Sequence, residues 1–127
     1  MVIDARSHRR AKLAARPIGG VFMLRAANRH FRLRCVDNVS VSGTGLYLPA
    51  TLPKNTQVTL TYSEYDWHVT IQGYVAWCKN LPKNDPNGDM RYPVGIRFAP
   101  NNADENTLFF LALREYLDPF GGPLYLA

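Results

Sequence analysis

Trp67-His-Val-Thr-Ile-Gln-Gly-Tyr-Val-Ala-Trp77 alternates without a break: Val69, Ile71, Gly73, Val75 and Trp77 fall on one face, His68, Thr70, Gln72 and Tyr74 on the other. A period of two is the signature of a strand with one face against a core. The same pattern recurs on both sides of this stretch. Thr56–Tyr62 sets Val58, Leu60 and Tyr62 against threonines, and Arg91–Phe98 aligns Tyr92, Val94, Ile96 and Phe98. Val41–Leu48 carries Gly43 and Gly45 and stops before Pro49. Gly19–Arg25 and Arg29–Val36 read as a hairpin around Ala26-Ala27-Asn28, with Phe31, Leu33 and Cys35 alternating against Arg32 and Arg34. After Pro100 the period changes. Asn102, with Glu105 three residues on, suits a capping box, and Leu108, Phe109, Leu111, Ala112 and Tyr116 follow at helical spacing over Glu105–Leu117. Six short strands and one final helix predict an all-β fold, a six-stranded antiparallel β-barrel with a C-terminal α-helix.

The rest of the chain divides around that unit. Residues 1–17 are basic, poor in large apolar side chains and closed by Pro17, which predicts a flexible arm. Residues 18–117 are the expected barrel and helix, and residues 118–127, with Pro119, Gly121, Gly122 and Pro123, form a C-terminal tail. Asn80–Asp89 contains Pro82, Pro86, Asn87 and Gly88 and reads as a polar surface loop, with Asp85 and Asp89 solvated.

With 127 residues, 46% of them hydrophobic, the chain is long enough for one domain with a real core. No stretch approaches the roughly 20 apolar residues of a spanning helix, and no apolar run follows the basic start, so a cytoplasmic protein is expected. Cys35 and Cys78 lie far apart and read as reduced core thiols; with His8, His30 and His68 they make no metal-ligand spacing. Charge is uneven. Residues 1–34 hold nine Lys and Arg against one acid, a net +8, whereas the remainder holds six against nine, a net −3. A concentrated basic surface favours an anionic partner. No nucleophile elbow, phosphate loop or dinucleotide glycine pattern is present, and Asp104 and Glu105 suit a helix N-terminus rather than catalysis. The reading is therefore non-enzymatic, with no cofactor.

Two stretches carry recognition chemistry. In Arg6-Ser-His-Arg9-Arg10, guanidinium groups four apart can grip two forked acceptors, such as phosphates or guanine edges. In Asn38-Val-Ser40-Val-Ser-Gly43, Asn38 and Ser40 share a face if the segment is extended, and Gly43 admits a close neighbour. The same three residues also suit a turn with a bulge. A second pair, Arg25 and Arg29, reads as hairpin-turn charge. Trp77 ends an apolar face and is expected in the core, with base stacking the alternative. Arg97 lies either near a site or simply on an exposed strand face.

In this order and spacing the two stretches resemble the signature of the PilZ family, Arg-x-x-x-Arg followed by Asp/Asn-x-Ser-x-x-Gly. Val75-Ala-Trp77 and Val94-Gly-Ile-Arg-Phe98 are similar to further strands of the family, so that the resemblance spans roughly residues 5 to 117. It implies a barrel that binds cyclic di-GMP. Arg6 and Arg10 would grip guanine edges and phosphate with Arg9 assisting, Asn38 and Ser40 would bond a guanine, and Gly43 would leave it room. It also implies an adaptor that presents a ligand-dependent surface to a protein partner. Ala5 stands where many relatives carry another arginine, and Asn38 where Asp is commoner. Two other readings accompany this one. A small basic barrel binding single-stranded nucleic acid would need exposed aromatics among its bases, and Phe22 and Phe31 look core-facing. A PilZ-like module acting through protein contacts alone would not need both motifs.

Overall fold

The computed structural model describes residues 20–64, 66–114 and 124–125. They form β1 (Val21–Ala26), β2 (Arg29–Leu33), β3 (Cys35–Val39), β4 (Gly43–Leu48), β5 (Gln57–Glu64), β6 (Trp67–Cys78), β7 (Lys83–Asn84), β8 (Met90–Phe98) and β9 (Leu124–Tyr125). A single 3-10 turn, Pro100–Asn102, leads into helix α1 (Ala103–Arg114). Strands pair antiparallel in the order β2-β1-β5-β6-β8-β4-β3-β9, with β7 on β8, and the sheet curls into a half-barrel. The expected all-β architecture with a late helix is thus what the chain adopts.

Alternation builds the core. Phe22 and Leu24 of β1, Leu46 and Leu48 of β4, Leu60 and Tyr62 of β5 and Ile71 and Val75 of β6 all point inward and are buried. Helix α1 closes the mouth. Its Phe109 meets Phe22 edge to face at 5.1 Å and Phe98 at 5.6 Å. Burying a ring of this size contributes about 1.5–3 kcal/mol. The helix buries Asn106, Phe109 and Phe110, at i, i+3 and i+4, whereas Leu108 and Leu111 are 51% and 40% exposed. Of the predicted face Phe109 packs as expected, whereas Leu108 and Leu111 do not, because the barrel mouth takes Phe110 beside Phe109 instead. The helix starts two residues earlier than predicted, and residues 115–117 of the expected helix lie outside the described residues.

The second predicted strand, Arg29–Val36, is two. Leu33, Cys35 and Val36 are all buried, which a regular alternating strand cannot achieve. The chain turns a corner at Arg34, so β2 pairs with β1 and β3 pairs with β4. Cys35 and Cys78 are both free thiols. Burial, reinforced by nearby Asp85, pushes the Cys35 thiol up to about 12, so it stays protonated at neutral pH.

The Asn80–Asp89 segment lies at the surface as expected, except at Asp85. Asp85 is buried, its Oδ1 accepting the Asn87 and Asp89 N–H groups at 2.8 and 3.0 Å. Its Oδ2 lies 3.4 Å from Arg91 Nε. Gly88, at φ +86°, takes the left-handed turn this closure requires. Two backbone donors on one oxygen and an ion pair on the other let this carboxylate organise the loop from inside; Asp89, by contrast, keeps its side chain half exposed. No helix among the described residues is long and apolar enough to cross a membrane.

Candidate ligand-binding site

Two bulges shape the outer face of β3, β4, β8 and β6. Val36 pairs with Leu46, but the next pair is Asn38 with Gly45, so Asp37 is the extra residue. Val75 pairs with Ile96, but the next pair is Trp77 with Gly95, so Ala76 is the extra residue. A bulge reverses the side-chain alternation beyond it. Trp77, predicted inside by strict alternation, therefore turns out and is 46% exposed. Gly45 also pairs with Gly95. One cross-strand row results: Asn38, Gly45, Gly95, Trp77.

The glycines in that row are there because the end residues lean over them. A Cβ on Gly95 would sit 2.2 Å from Trp77 Nε1, and one on Gly45 would sit 3.1 Å from Asn38 Nδ2. Asn38 Oδ1 accepts the Gly45 N–H at 3.1 Å. A backbone N–H can only donate, so the amide orientation is settled, and the Nδ2 protons are left to donate elsewhere. Thr44 Oγ1 donates to the Asn38 carbonyl at 2.6 Å, fixing the backbone beneath. Between this row and the loop after β6 lies a cavity of about 440 Å³, lined by Asn38, Gly45, Tyr47, Trp77, Leu81 and Pro93 among others. That is within the range of about 300–1,000 Å³ usual for small-molecule sites.

Ser40 takes the turn alternative rather than a strand face shared with Asn38, and Gly43 admits a close neighbour as expected. β3 ends at Val39, so Ser40 does not share a strand face with Asn38. The Ser40 N–H donates to the Gly43 carbonyl at 2.8 Å, and its Oγ accepts the Ser42 N–H at 3.2 Å. Ser40 thereby braces the turn that leads into β4. A Cβ on Gly43 would lie 2.5 Å from the Ile96 carbonyl oxygen, so this glycine permits close approach of β4 to β8. Opposite Gly43 in register stands exposed Arg97, one row from the glycine row, on the same outer face. Arg6, Arg9 and Arg10 lie outside the described residues. Sequence reasoning missed Tyr47 and the true orientation of Trp77. The usable signal was Gly45 and Gly95, two glycines in strands where each would otherwise weaken the ladder.

Fold and cavity define the class: an antiparallel half-barrel, closed by a helix, with a cavity on the outer face of its sheet. A family model for the PilZ domain matches residues 4–115, and the chain belongs to that family. Its fold is similar to a solved structure described as the PilZ domain with c-di-GMP of YcgR from Escherichia coli. The two share 15% sequence identity with a TM-score of 0.54, over 88% of this chain and 93% of that one. No curated protein matches the chain.

Proposed function

We propose that the chain is a receptor domain for cyclic di-GMP that performs no chemistry on its ligand. The observation that carries this reading is the Asn38–Gly45–Gly95–Trp77 row, which sets a hydrogen-bond donor packed over one glycine at one end and a half-exposed indole packed over the other at the far end. A guanine fits that chemistry. Its O6 and N7 accept from Asn38 Nδ2, and its face stacks on Trp77. Membership of the PilZ family and the fold's likeness to a PilZ domain solved with c-di-GMP support the choice of ligand. Arg6 and Arg10, with Arg9 assisting, grip the phosphates and the outer guanine edges from residues 1–17. Ser40 and Gly43 act by shaping the turn beside the base. The occupied site, arm included, then forms the surface that a partner protein reads.

Calorimetric titration with cyclic di-GMP, with GTP and a short oligonucleotide as controls, tests the reading. Saturable binding of cyclic di-GMP alone, with the ligand recovered intact, is the expected result. Preference for the oligonucleotide would transfer the site to single-stranded nucleic acid, and a folded chain that binds neither would leave protein contacts as its work. Arg10→Ala and Arg6→Ala should each weaken binding about ten- to a hundredfold, as the loss of a charged hydrogen bond does.

A further inference from the structure

The slot has a second wall, built from the segment between β6 and β7. The segment is anchored at both ends. The Lys79 N–H donates to the Pro93 carbonyl of β8 at 3.0 Å, and Lys83 pairs with Arg91 where β7 meets β8. The buried Asp85 then secures the chain beyond. Each anchor carries an exposed lysine turned toward an aromatic ring of the slot. Lys79 Nζ is 5.8 Å from the centre of the Trp77 ring, and Lys83 Nζ is 6.0 Å from that of Tyr47. Neither ammonium is ion-paired with a carboxylate among the described residues. A cation over a ring is oriented, but it keeps most of its hydration and its capacity to bond an anion.

We propose that Lys79 and Lys83 form a phosphate subsite of this slot, separate from the arginines of residues 1–17. The proposal rests on the cyclic di-GMP reading. A guanine lying between Asn38 and Trp77 leaves its sugar-phosphate at the rim of the cavity. The rim contributed by residues 79–83 bears two positive charges, each held over a ring and neither ion-paired among the described residues. The two lysines come from opposite ends of one short, anchored segment, so they can meet a ligand phosphate without ordering a new stretch of chain. Their contribution is electrostatic and is therefore screened by salt.

The test compares the full-length chain with two double variants, Lys79→Gln/Lys83→Gln and Lys79→Arg/Lys83→Arg. Each is titrated with cyclic di-GMP at low and at high salt, with thermal melting as a check on folding. The glutamine pair should bind about tenfold more weakly at low salt and lose part of the salt dependence. The arginine pair should bind close to the parent. Equal affinity and equal salt response in the glutamine pair would overturn the subsite while leaving the cyclic di-GMP reading intact. Equal losses in both pairs would show that the segment acts through packing, and would also overturn it. A parent chain that does not bind cyclic di-GMP overturns the subsite together with the function it serves.

Discussion

The two outer faces of this half-barrel share one core but differ in what covers them. On β5 and β6, away from the slot, threonines and glutamine pair across the strands: Thr59 Oγ1 donates to Gln72 Oε1 at 3.0 Å, and Thr61 and Thr70 hydroxyls lie 3.2 Å apart. These two outward pairs bond side chain to side chain, so their polar groups are already engaged. On β4 and β8 the paired outward positions Gly45 and Gly95 lack side chains, and the bulges at Asp37 and Ala76 bring Asn38 and Trp77 to their flanks. The same antiparallel ladder thus carries paired polar side chains on one side and the candidate binding surface on the other. The difference comes from two bulges and two missing Cβ atoms rather than from the fold.

The largest effect should follow from releasing the loop that makes one face a slot. Asp85→Ala removes the acceptor of two backbone N–H groups and leaves the Arg91 guanidinium, 18% exposed, without its partner. It should cost about 3 kcal/mol of stability, read by denaturant unfolding, and weaken ligand binding as the cavity loses its second wall. A wild-type unfolding midpoint in this variant would mean that the loop stands without its buried carboxylate.

Next comes the row itself. Trp77→Ala should lower affinity about ten- to a hundredfold, the equivalent of about 1–3 kcal/mol for one stacked base, while moving stability by less than about 1 kcal/mol. Gly95→Ala should reproduce the binding loss with the indole still present, because the new Cβ occupies the place where Trp77 Nε1 lies. Undiminished binding in both variants would remove the indole from the site. Asn38→Ala has a smaller expected effect of about tenfold on affinity, with about 1 kcal/mol of stability from the Gly45 N–H left without its acceptor. Titration and melting of one sample separate the two effects.

The smallest change is expected on the plain face. Thr61→Val and Arg25→Ala, which alter side chains well away from the slot, should each stay within about 0.5 kcal/mol in stability and leave affinity unchanged. A binding loss in Arg25→Ala comparable to that in Trp77→Ala would move the site to the β1–β2 hairpin and dissolve the distinction between the faces.

The residue order alone determined the all-β class, the helix at the end, most of the inward-facing residues and the motif that marks the family. Alternation and turn residues are local properties, and a strand or turn of this kind needs no distant partner to be recognised. Asn38 was legible as a candidate recognition residue for the same reason. What only the tertiary structure decided are the features that depend on register. The bulges at Asp37 and Ala76 are mismatches between strands far apart in sequence, and each reverses which way the next side chain faces. Read within its own strand, Trp77 belongs to the core; read against Gly95 on β8, it belongs to the surface. The burial of Asp85 has the same origin. Its Pro/Gly-rich neighbourhood is that of a solvated loop, and only its closure on Arg91 and its own backbone takes the carboxylate out of water. Periodicity is written in one segment at a time, whereas register and burial are settled between segments, by whichever pairing buries the most apolar surface and leaves the fewest polar groups without a partner.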